Sequence, residues 1–153
     1  MHYSIDNTAW MSPIRPELKK LMAEFFAIAD KPDPEAGNLW AERVFTPEGR
    51  IIAGGQEIAG ESAIRNSRKA VWGAIKARKH VVERAYGGGP SGEDIMVHGR
   101  MTATVASSGT DVSVPFAARF LVDAESLEKS EPKLLSYQGW ADSSPLAAAL
   151  RGE

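Results

Sequence analysis

The sequence contains no cysteine among its 153 residues. This absence excludes disulfide bonds, thiolate zinc sites and cysteine nucleophiles, and it is typical of a protein from a reducing compartment. Histidine is also scarce, because there are only 3 and none of them form a His-x-His or His-x-x-x-His spacing. The sequence therefore contains no metal-site motif, and we expect neither a metal nor another cofactor.

The sequence also lacks a strong charge of either sign. Its 18 basic and 20 acidic side chains leave a formal net charge of −2, which gives no electrostatic basis for binding nucleic acid. No apolar run approaches the roughly 20 residues that cross a bilayer. Residues 1–13 lack the basic and apolar regions of a signal peptide. We therefore expect a soluble, cytoplasmic protein with neither a nucleic-acid partner nor a membrane partner.

One stretch of the chain is locally basic. Acidic residues dilute it, and it lacks the aromatic interleaving of a protein that binds single-stranded nucleic acid. We interpret it as a solvated surface, with nucleic-acid binding as the minor alternative. The basic residues of this stretch are Arg65, Arg68, Lys69, Lys76, Arg78, Lys79 and Arg84.

The length and composition are those of one globular domain. Hydrophobic residues make up 43% of the chain and charged residues 25%. We assign residues 1–153 to that domain, with residues 1–12 as a loose arm and residues 143–153 as a C-terminal tail.

Three segments have the pattern of helices. Apolar residues at three- and four-residue steps predict the first helix, with Pro16 in its first turn and Pro32 beyond its end. Asp33 is typical of the N-cap of a second helix, whose buried side includes Trp40. A third helix is predicted over residues 61–77.

The other segments have the period of strands. Gly54-Gly55 joins short strands at 50–53 and 56–59, and further strands are predicted at 80–86 and 133–142. Residues 124–132 are predicted to form a polar loop.

The clearest hairpin joins residues 93–106 to residues 111–122. A two-residue tip at Ser108-Gly109 places Met101 opposite Phe116 and makes one face of the hairpin apolar. His98 lies on the other, mixed face, which we interpret as the outer face of the sheet. We expect this outer face to form a homodimer surface rather than a pocket.

The element order ααββαββββ predicts an α+β fold with an antiparallel sheet. Along it lie the motifs Phe26-Ala27-Ile28-Ala29-Asp30, Trp40 with Phe45-Thr46-Pro47, Ile58-Ala59-Gly60, Arg78-Lys79-His80 and Tyr137-Gln138-Gly139-Trp140. On these motifs the chain resembles the SnoaL-like group of the nuclear transport factor 2-like superfamily. The resemblance implies a cone-shaped, curved sheet wrapped around three N-terminal helices.

Asp30 and His80 are the residues that local structure explains least. Asp30 ends a helix, where the macrodipole disfavours a carboxylate by a few tenths to about 1 kcal/mol. Taken alone, Asp30 would more commonly be a solvated acid, and His80 a strand-start histidine satisfied by solvent or a backbone carbonyl. The alternative is a proton-transfer pair, because a nearby carboxylate fixes the tautomer of an imidazole and strengthens it as a base.

The resemblance favours this alternative. In SnoaL-like relatives such as scytalone dehydratase and the hexachlorocyclohexane dehydrochlorinase, an aspartate after the first helix and a histidine at the start of the third strand form a dyad. Asp30 and His80 match those two positions. The sequence departs from the former at Thr102 or Ala103, where a second catalytic histidine stands, and from the latter near Tyr137, where an arginine stands. The substrate and the reaction are therefore expected to differ.

The favoured function is a cofactor-independent lyase or isomerase that acts on an apolar, oxygenated small molecule by dehydration, isomerisation or cyclisation. His80 would abstract a proton, Asp30 would orient His80, and Tyr137 would polarise a carbonyl or hydroxyl group. The residues predicted to line the substrate pocket are Phe26, Trp40, Trp72, Met101 and Phe116. The alternative function is a non-catalytic module of the same fold that binds a small molecule or another protein.

Overall fold

Seven strands of the described chain form one curved sheet. The computed structural model describes residues 3–153, apart from the side chain of Tyr3. The strands are β1 (Ala9–Trp10), β2 (Phe45–Ala53), β3 (Gln56–Ala59), β4 (Ile75–Gly88), β5 (Asp94–Val105), β6 (Asp111–Val122) and β7 (Leu134–Ala141). They lie in the order β1-β4-β5-β6-β7-β2-β3. The helices are α1 (Pro16–Ala29), α2 (Gly37–Leu39), α3 (Glu61–Asn66), α4 (Ala124–Glu128) and α5 (Ser144–Leu150). The predicted α+β class is confirmed.

Helix α1 lies where the sequence predicts it and carries the core. Pro16 occupies its first position, where the missing N–H has no intrahelical partner to lose. Phe26 is fully buried, and its ring centroid lies 5.8 Å from that of Phe116 and 5.6 Å from that of Phe120 on β6. The hydrophobic core therefore lies between α1 and one face of the sheet.

The second helical segment is shorter than a full helix. Asp33 accepts a hydrogen bond from the backbone N–H of Glu35 at 2.9 Å, but it begins a turn over residues 34–36. The prediction that Asp33 is the N-cap is therefore wrong, because Ala36 takes that position in α2. Helix α2 then passes into a single π-helical turn, Trp40–Val44, before β2 begins. Trp40 is buried there, and its indole N–H donates to the carbonyl oxygen of Phe25 at 3.1 Å.

The prediction of a third helix over residues 61–77 is wrong beyond residue 66. Helix α3 ends at Asn66, turns follow, and β4 begins at Ile75. Tertiary contacts explain the early end, because Arg68 turns inward and donates to the carbonyl oxygen of Ala29 at 2.5 Å. Gly73 also has a φ of 148°, which no helix can contain.

The predicted β5–β6 pairing is two residues out of register. Met101 pairs with Val114 rather than Phe116. The tip contains four residues, 106–109, closed by a hydrogen bond from the Gly109 N–H to the carbonyl oxygen of Val105 at 2.8 Å. The favoured two-residue tips, types I′ and II′, both need a positive φ at the first position, here Ser108. Gly109 has a positive φ (72°), whereas Ser108 does not. Because the shift is even, the apolar and mixed faces are those predicted.

A bulge in β4 decides which of its side chains face the core. The pairing of β4 with β5 shifts between Val82 and Arg84, so Val82 is buried and Arg84 is exposed. Gly99 lies opposite the bulge, and a Cβ atom built there would overlap the carbonyl oxygen of Val81. The bulge and Gly99 together let His80 and Val82 face inward without burying Arg84.

The described part of the N-terminal arm is anchored rather than loose. Strand β1 pairs in parallel with β4, with Ala9 opposite Arg84. The Thr8 hydroxyl donates to the carbonyl oxygen of Val82 at 2.8 Å, and the Ser12 hydroxyl accepts from the Gly87 N–H at 2.7 Å. The arm therefore covers the free edge of β4. Met1 and His2 lie outside the described residues.

Short helices are present in the predicted loop, residues 124–132, and in the predicted C-terminal tail, residues 143–153. Asp123 caps α4 by accepting a hydrogen bond from the Ser126 N–H at 3.1 Å, inside the predicted polar loop. The predicted tail forms α5, none of whose residues is buried. Among residues 3–153, no helix is both long enough and apolar enough to cross a membrane.

Candidate active site

The predicted contact between Asp30 and His80 is present. Asp30 follows the last residue of α1, and His80 lies in β4, fifty residues later. One carboxylate oxygen of Asp30 lies 2.6 Å from Nδ1 of His80, and the other accepts the backbone N–H of His80 at 2.7 Å. The same carboxylate therefore fixes both the main chain and the ring of His80.

This contact determines which nitrogen of His80 is basic. A carboxylate only accepts hydrogen bonds, so Nδ1 carries the hydrogen and Nε2 keeps its lone pair. Burial lowers the pKa of His80 from its ordinary value of 6.5, and the charges of Arg78 and Arg68 lower it further. The hydrogen bond and the charge of Asp30 act in the opposite direction without reversing the shift. His80 is therefore a neutral base at neutral pH.

Two arginines hold the end of α1 beside Asp30. Arg68 and Arg78 both donate to the carbonyl oxygen of Ala29, at 2.5 and 2.6 Å. Nε of Arg78 also lies 3.6 Å from a carboxylate oxygen of Asp30. Cations at a helix C-terminus offset the macrodipole, so these contacts explain how an acid is stable at this position.

The ring of His80 is packed between two phenylalanines. The ring centroid of Phe26 lies 5.0 Å away, and that of Phe116 lies 5.2 Å away in an edge-to-face arrangement. With Asp30 on its third side, the imidazole has one orientation. The site is therefore preorganised before any ligand enters.

A cavity of about 220 Å³ opens in front of His80. Most of its lining side chains are apolar or small, and none belongs to Asp, Glu, Lys or Arg. Its lining residues are Ala53, Gly54, His80, Met101, Phe116, Ala117, Tyr137, Gly139, Trp140, Ala141 and Ser143. A wider depression of about 820 Å³ adjoins it and shares Phe116 and Trp140, but His80 does not line that depression.

Tyr137 brings a phenol group to the same cavity. Its ring stacks on Phe25, with centroids 4.3 Å apart, and its residue is 9% exposed. Burial raises the pKa of Tyr137 above its ordinary value of 10.0, so its hydroxyl stays protonated at neutral pH. A Cβ atom at Gly139 would lie 3.1 Å from this hydroxyl, so glycine there leaves the space above it open. The hydroxyl can therefore donate to a ligand.

The predicted pocket residues separate into two groups. Met101 and Phe116 line the cavity as predicted. Phe26 lies behind His80, Trp40 lies in the core, and Trp72 lies against the two arginines, with its ring 5.8 Å from the guanidinium of Arg68 and 5.6 Å from that of Arg78. These three residues do not line this cavity, and their contact with substrate stays a prediction.

The interpretation of the basic stretch as solvated surface is wrong for two of its members. Arg68 is only 6% exposed, and the side chain of Arg78 is only 17% exposed. Strand alternation could have identified Arg78, which lies two residues before His80 and so faces the same way. Arg68 gives no such signal, because its position depends on where α3 ends. Gly139 and Trp140 were also missed as lining residues.

The site contains no obvious ligands for a metal ion. Within residues 3–153, no three His, Asp or Glu side chains converge as they would around a metal.

Comparisons with known proteins identify structural neighbours only. No protein-family model and no curated protein matches the chain. A protein from Jannaschia sp. CCS1, assigned as a SnoaL-like polyketide cyclase, is 18% identical, with a TM-score of 0.71 over 93% of this chain and 96% of that chain. A protein from Catenulispora acidiphila with a ketosteroid isomerase-like fold, in complex with trimethylamine, is 18% identical, with a TM-score of 0.65 over 84% and 90% of the two chains.

A third neighbour comes from Agrobacterium tumefaciens and is assigned as an isomerase of the SnoaL-like family. It is 13% identical, with a TM-score of 0.62 over 84% of this chain and 99% of that chain. At these identities the likeness concerns the fold. The chain has the cone-shaped α+β fold of the nuclear transport factor 2-like superfamily, the fold that its SnoaL-like neighbours share.

Proposed function

We propose that the chain is a cofactor-independent enzyme of the SnoaL-like type. In this proposal His80 removes a proton from a carbon next to a carbonyl group, Asp30 orients His80, and Tyr137 donates a hydrogen bond to the carbonyl oxygen. The observation that carries the proposal is the hydrogen bond of 2.6 Å from Nδ1 of His80 to Asp30, at the wall of a cavity. It leaves Nε2 as the nitrogen available to a ligand.

The chemical step follows from these groups. Nε2 takes the proton, the electron pair of the broken C–H bond moves into the carbonyl group, and an enolate oxygen forms. His80 becomes positively charged next to Asp30, which offsets that charge. The hydroxyl of Tyr137 stabilises the enolate oxygen, because hydrogen bonds to a developing oxyanion strengthen in a dry site. Returning the proton to another carbon gives isomerisation, loss of a β-substituent gives elimination, and attack on a second carbonyl gives cyclisation.

The cavity supports a small, neutral, mostly apolar substrate. Its polar side chains, His80, Tyr137 and Ser143, are all uncharged at neutral pH when His80 is the free base. A volume of about 220 Å³ is somewhat larger than the roughly 150 Å³ of an apolar cavity that binds benzene. It is smaller than the roughly 300–1,000 Å³ of sites that enclose drug-sized ligands. A cyclic ketone of one or two rings suits these dimensions, and larger groups would extend into the adjoining depression.

The structural neighbours support this class of chemistry. One is assigned as a polyketide cyclase and another as an isomerase. Both reaction types fit an enolate as their intermediate.

The decisive experiment measures proton abstraction without knowledge of the natural substrate. Cyclohexanone and 2-indanone are incubated with the protein in D₂O, and exchange at the carbons next to the carbonyl group is followed by NMR. We expect catalysed exchange with the wild type and a loss of about 10²–10⁴-fold with His80→Ala. His98→Ala is the matched control, because His98 is exposed on the opposite face of the sheet and should leave the rate unchanged.

Two further variants test the other roles. Asp30→Asn should also abolish exchange, and Tyr137→Phe should lower it by about 10²–10³-fold, as the loss of one oxyanion donor does. Equal rates in wild type and His80→Ala, with both folded, would refute the proposal. Saturable binding of the ketones without any catalysed exchange would instead favour the non-catalytic binding module.

A further inference from the structure

Arg68 is a buried cation that no carboxylate neutralises directly. It is 6% exposed, and no ion pair within residues 3–153 includes it. Its guanidinium donates to the carbonyl oxygen of Ala29 at 2.5 Å and lies 5.0 Å from the ring centroid of Trp40. Its Nε atom is buried without a hydrogen-bond partner. Burying an unpaired charge is unfavourable, so its position calls for a reason beyond packing.

Two arginines and one aspartate act together on the charge state of His80. Arg68 and Arg78 contribute two positive charges and Asp30 one negative charge, while His80 is neutral. Burial, and then the charge of Arg78, lower the pKa of Arg68 to about 10, so the guanidinium remains charged at neutral pH. His80 therefore lies within the influence of two cations as well as one carboxylate.

The contact with Ala29 links Arg68 to the proton-transfer pair. Ala29 directly precedes Asp30, and its carbonyl group forms the peptide bond to Asp30. Arg68 and Arg78 hold this carbonyl from two different segments, the turns after α3 and strand β4. The peptide that carries the Asp30 carboxylate is thereby fixed against the strand that carries His80.

We infer that Arg68 is a positioning residue for the His80–Asp30 pair: together with Arg78 it anchors the carbonyl group of Ala29, and its charge limits how strongly Asp30 draws a proton onto His80. The catalytic meaning of this inference rests on the proposed function, but its measurement does not. A lone carboxylate beside His80 would favour the imidazolium form, which cannot accept a proton. The positive charges of Arg68 and Arg78 oppose that effect and favour the free base.

The groups that face His80 from each neighbouring element are few. Asp30 approaches from the end of α1, Arg78 from β4 itself and Arg68 from the segment after α3. Tyr137 of β7 lines the same cavity. From β5 and β6 the apolar side chains of Met101 and Phe116 approach it.

The test is an NMR titration of the His80 ring in wild type, Arg68→Met and Arg68→Lys. Removing the positive charge should raise the ratio of protonated to neutral His80 at a given pH by about threefold or more. Arg68→Lys keeps the charge and should leave this ratio nearer to the wild-type value. Arg65→Met is the matched control, because Arg65 lies three residues earlier and pairs with Glu61 and Glu42 at the surface.

Each outcome decides the inference. An unchanged or lowered ratio in Arg68→Met overturns it, and so does an equal rise in the control Arg65→Met. If Arg68→Met does not fold, Arg78→Met is the second variant, because Arg78 holds the same carbonyl and should move the ratio in the same direction. Failure of the ketone exchange in wild type would refute the proposed function and leave this titration result standing, so the two failures are distinguishable.

Discussion

Asp30 and Asp94 each use both carboxylate oxygens, yet they do so in opposite environments. Asp94 lies on β5 and binds Arg119 through two hydrogen bonds of 2.8 Å, with side chains 35% and 43% exposed. Asp30 binds His80, also at two points, but the Asp30 side chain is 3% exposed. The contact of Asp94 with Arg119 has the better ion-pair geometry, because the contact of Asp30 with Arg78 is long, at 3.6 Å.

This comparison indicates that burial, rather than ion-pair geometry, determines how strongly a carboxylate acts on its neighbours. Water and salt screen the Asp94–Arg119 pair, so it contributes little to stability. Around Asp30 the same unit charge acts in a dry environment, where it fixes a tautomer, holds a strand and offsets two arginines. The first pair is an ordinary feature of a surface, and the second can support chemistry.

The strongest test of this comparison removes each negative charge in turn. Asp30→Asn removes a buried negative charge next to Arg68 and Arg78, and we expect the free energy of unfolding to fall by about 3–5 kcal/mol. Asp94→Asn should cost about 1 kcal/mol or less, because its partner remains hydrated. Urea denaturation at pH 7 measures both values. Equal losses in the two variants would show that the buried cluster is no more costly to break than the surface pair.

We expect the His80–Asp30 site and the Asp94–Arg119 pair to lose their contributions to stability in different pH ranges. The pKa of His80 is lowered in the folded protein from 6.5, so between 6.5 and that lower value only the unfolded chain takes up the proton. Stability from this group is therefore complete above 6.5 and is lost as pH falls through the window. The hydrogen bond from Arg119 lowers the pKa of Asp94 from 3.8, so its contribution is complete above 3.8 and is lost only below it.

The matched variants assign these windows. In a series of urea denaturations from pH 7 to pH 3, His80→Gln should remove the fall in stability that begins near 6.5. Asp94→Asn should still show the decrease in the free energy of unfolding near 6.5. It should lack only the smaller decrease that the wild type shows below 3.8. If the free energy of unfolding of the wild type stays constant from pH 7 down to pH 4, burial does not lower the pKa of His80.

The sequence predicts the order of the elements because most of its signals are local. The period of apolar residues in α1 and the glycines at 54–55 each depend on neighbours along the chain. The predictions fail where contacts between distant residues determine the local structure. Helix α3 ends early because Arg68 contacts Ala29, 39 residues away. The two-residue slip of the β5–β6 register has a local cause, the left-handed geometry that Ser108 does not adopt.

The candidate site was only partly predictable. Asp30 and His80 came from a resemblance to a family fold, since nothing in their immediate sequence links residues fifty positions apart. Their contact is present, whereas their catalytic role stays a prediction. Arg68 and Arg78 were misinterpreted because a run of basic residues is usually solvated. Alternation along β4 places Arg78 beside His80, and no pattern of similar strength places Arg68.

The smallest expected effect concerns salt. A double-mutant cycle with Asp94→Asn and Arg119→Met should give a coupling energy of roughly 0.2–1 kcal/mol at low salt. In 1 M NaCl the Debye length falls from about 10 Å to about 3 Å, so most of this coupling should disappear. The corresponding cycle with Asp30→Asn and Arg78→Met should give a larger coupling that changes little with salt, because no ions enter the buried cluster. Similar salt dependence in both cycles would mean that solvent reaches Asp30, and the distinction between the two carboxylates would then fail.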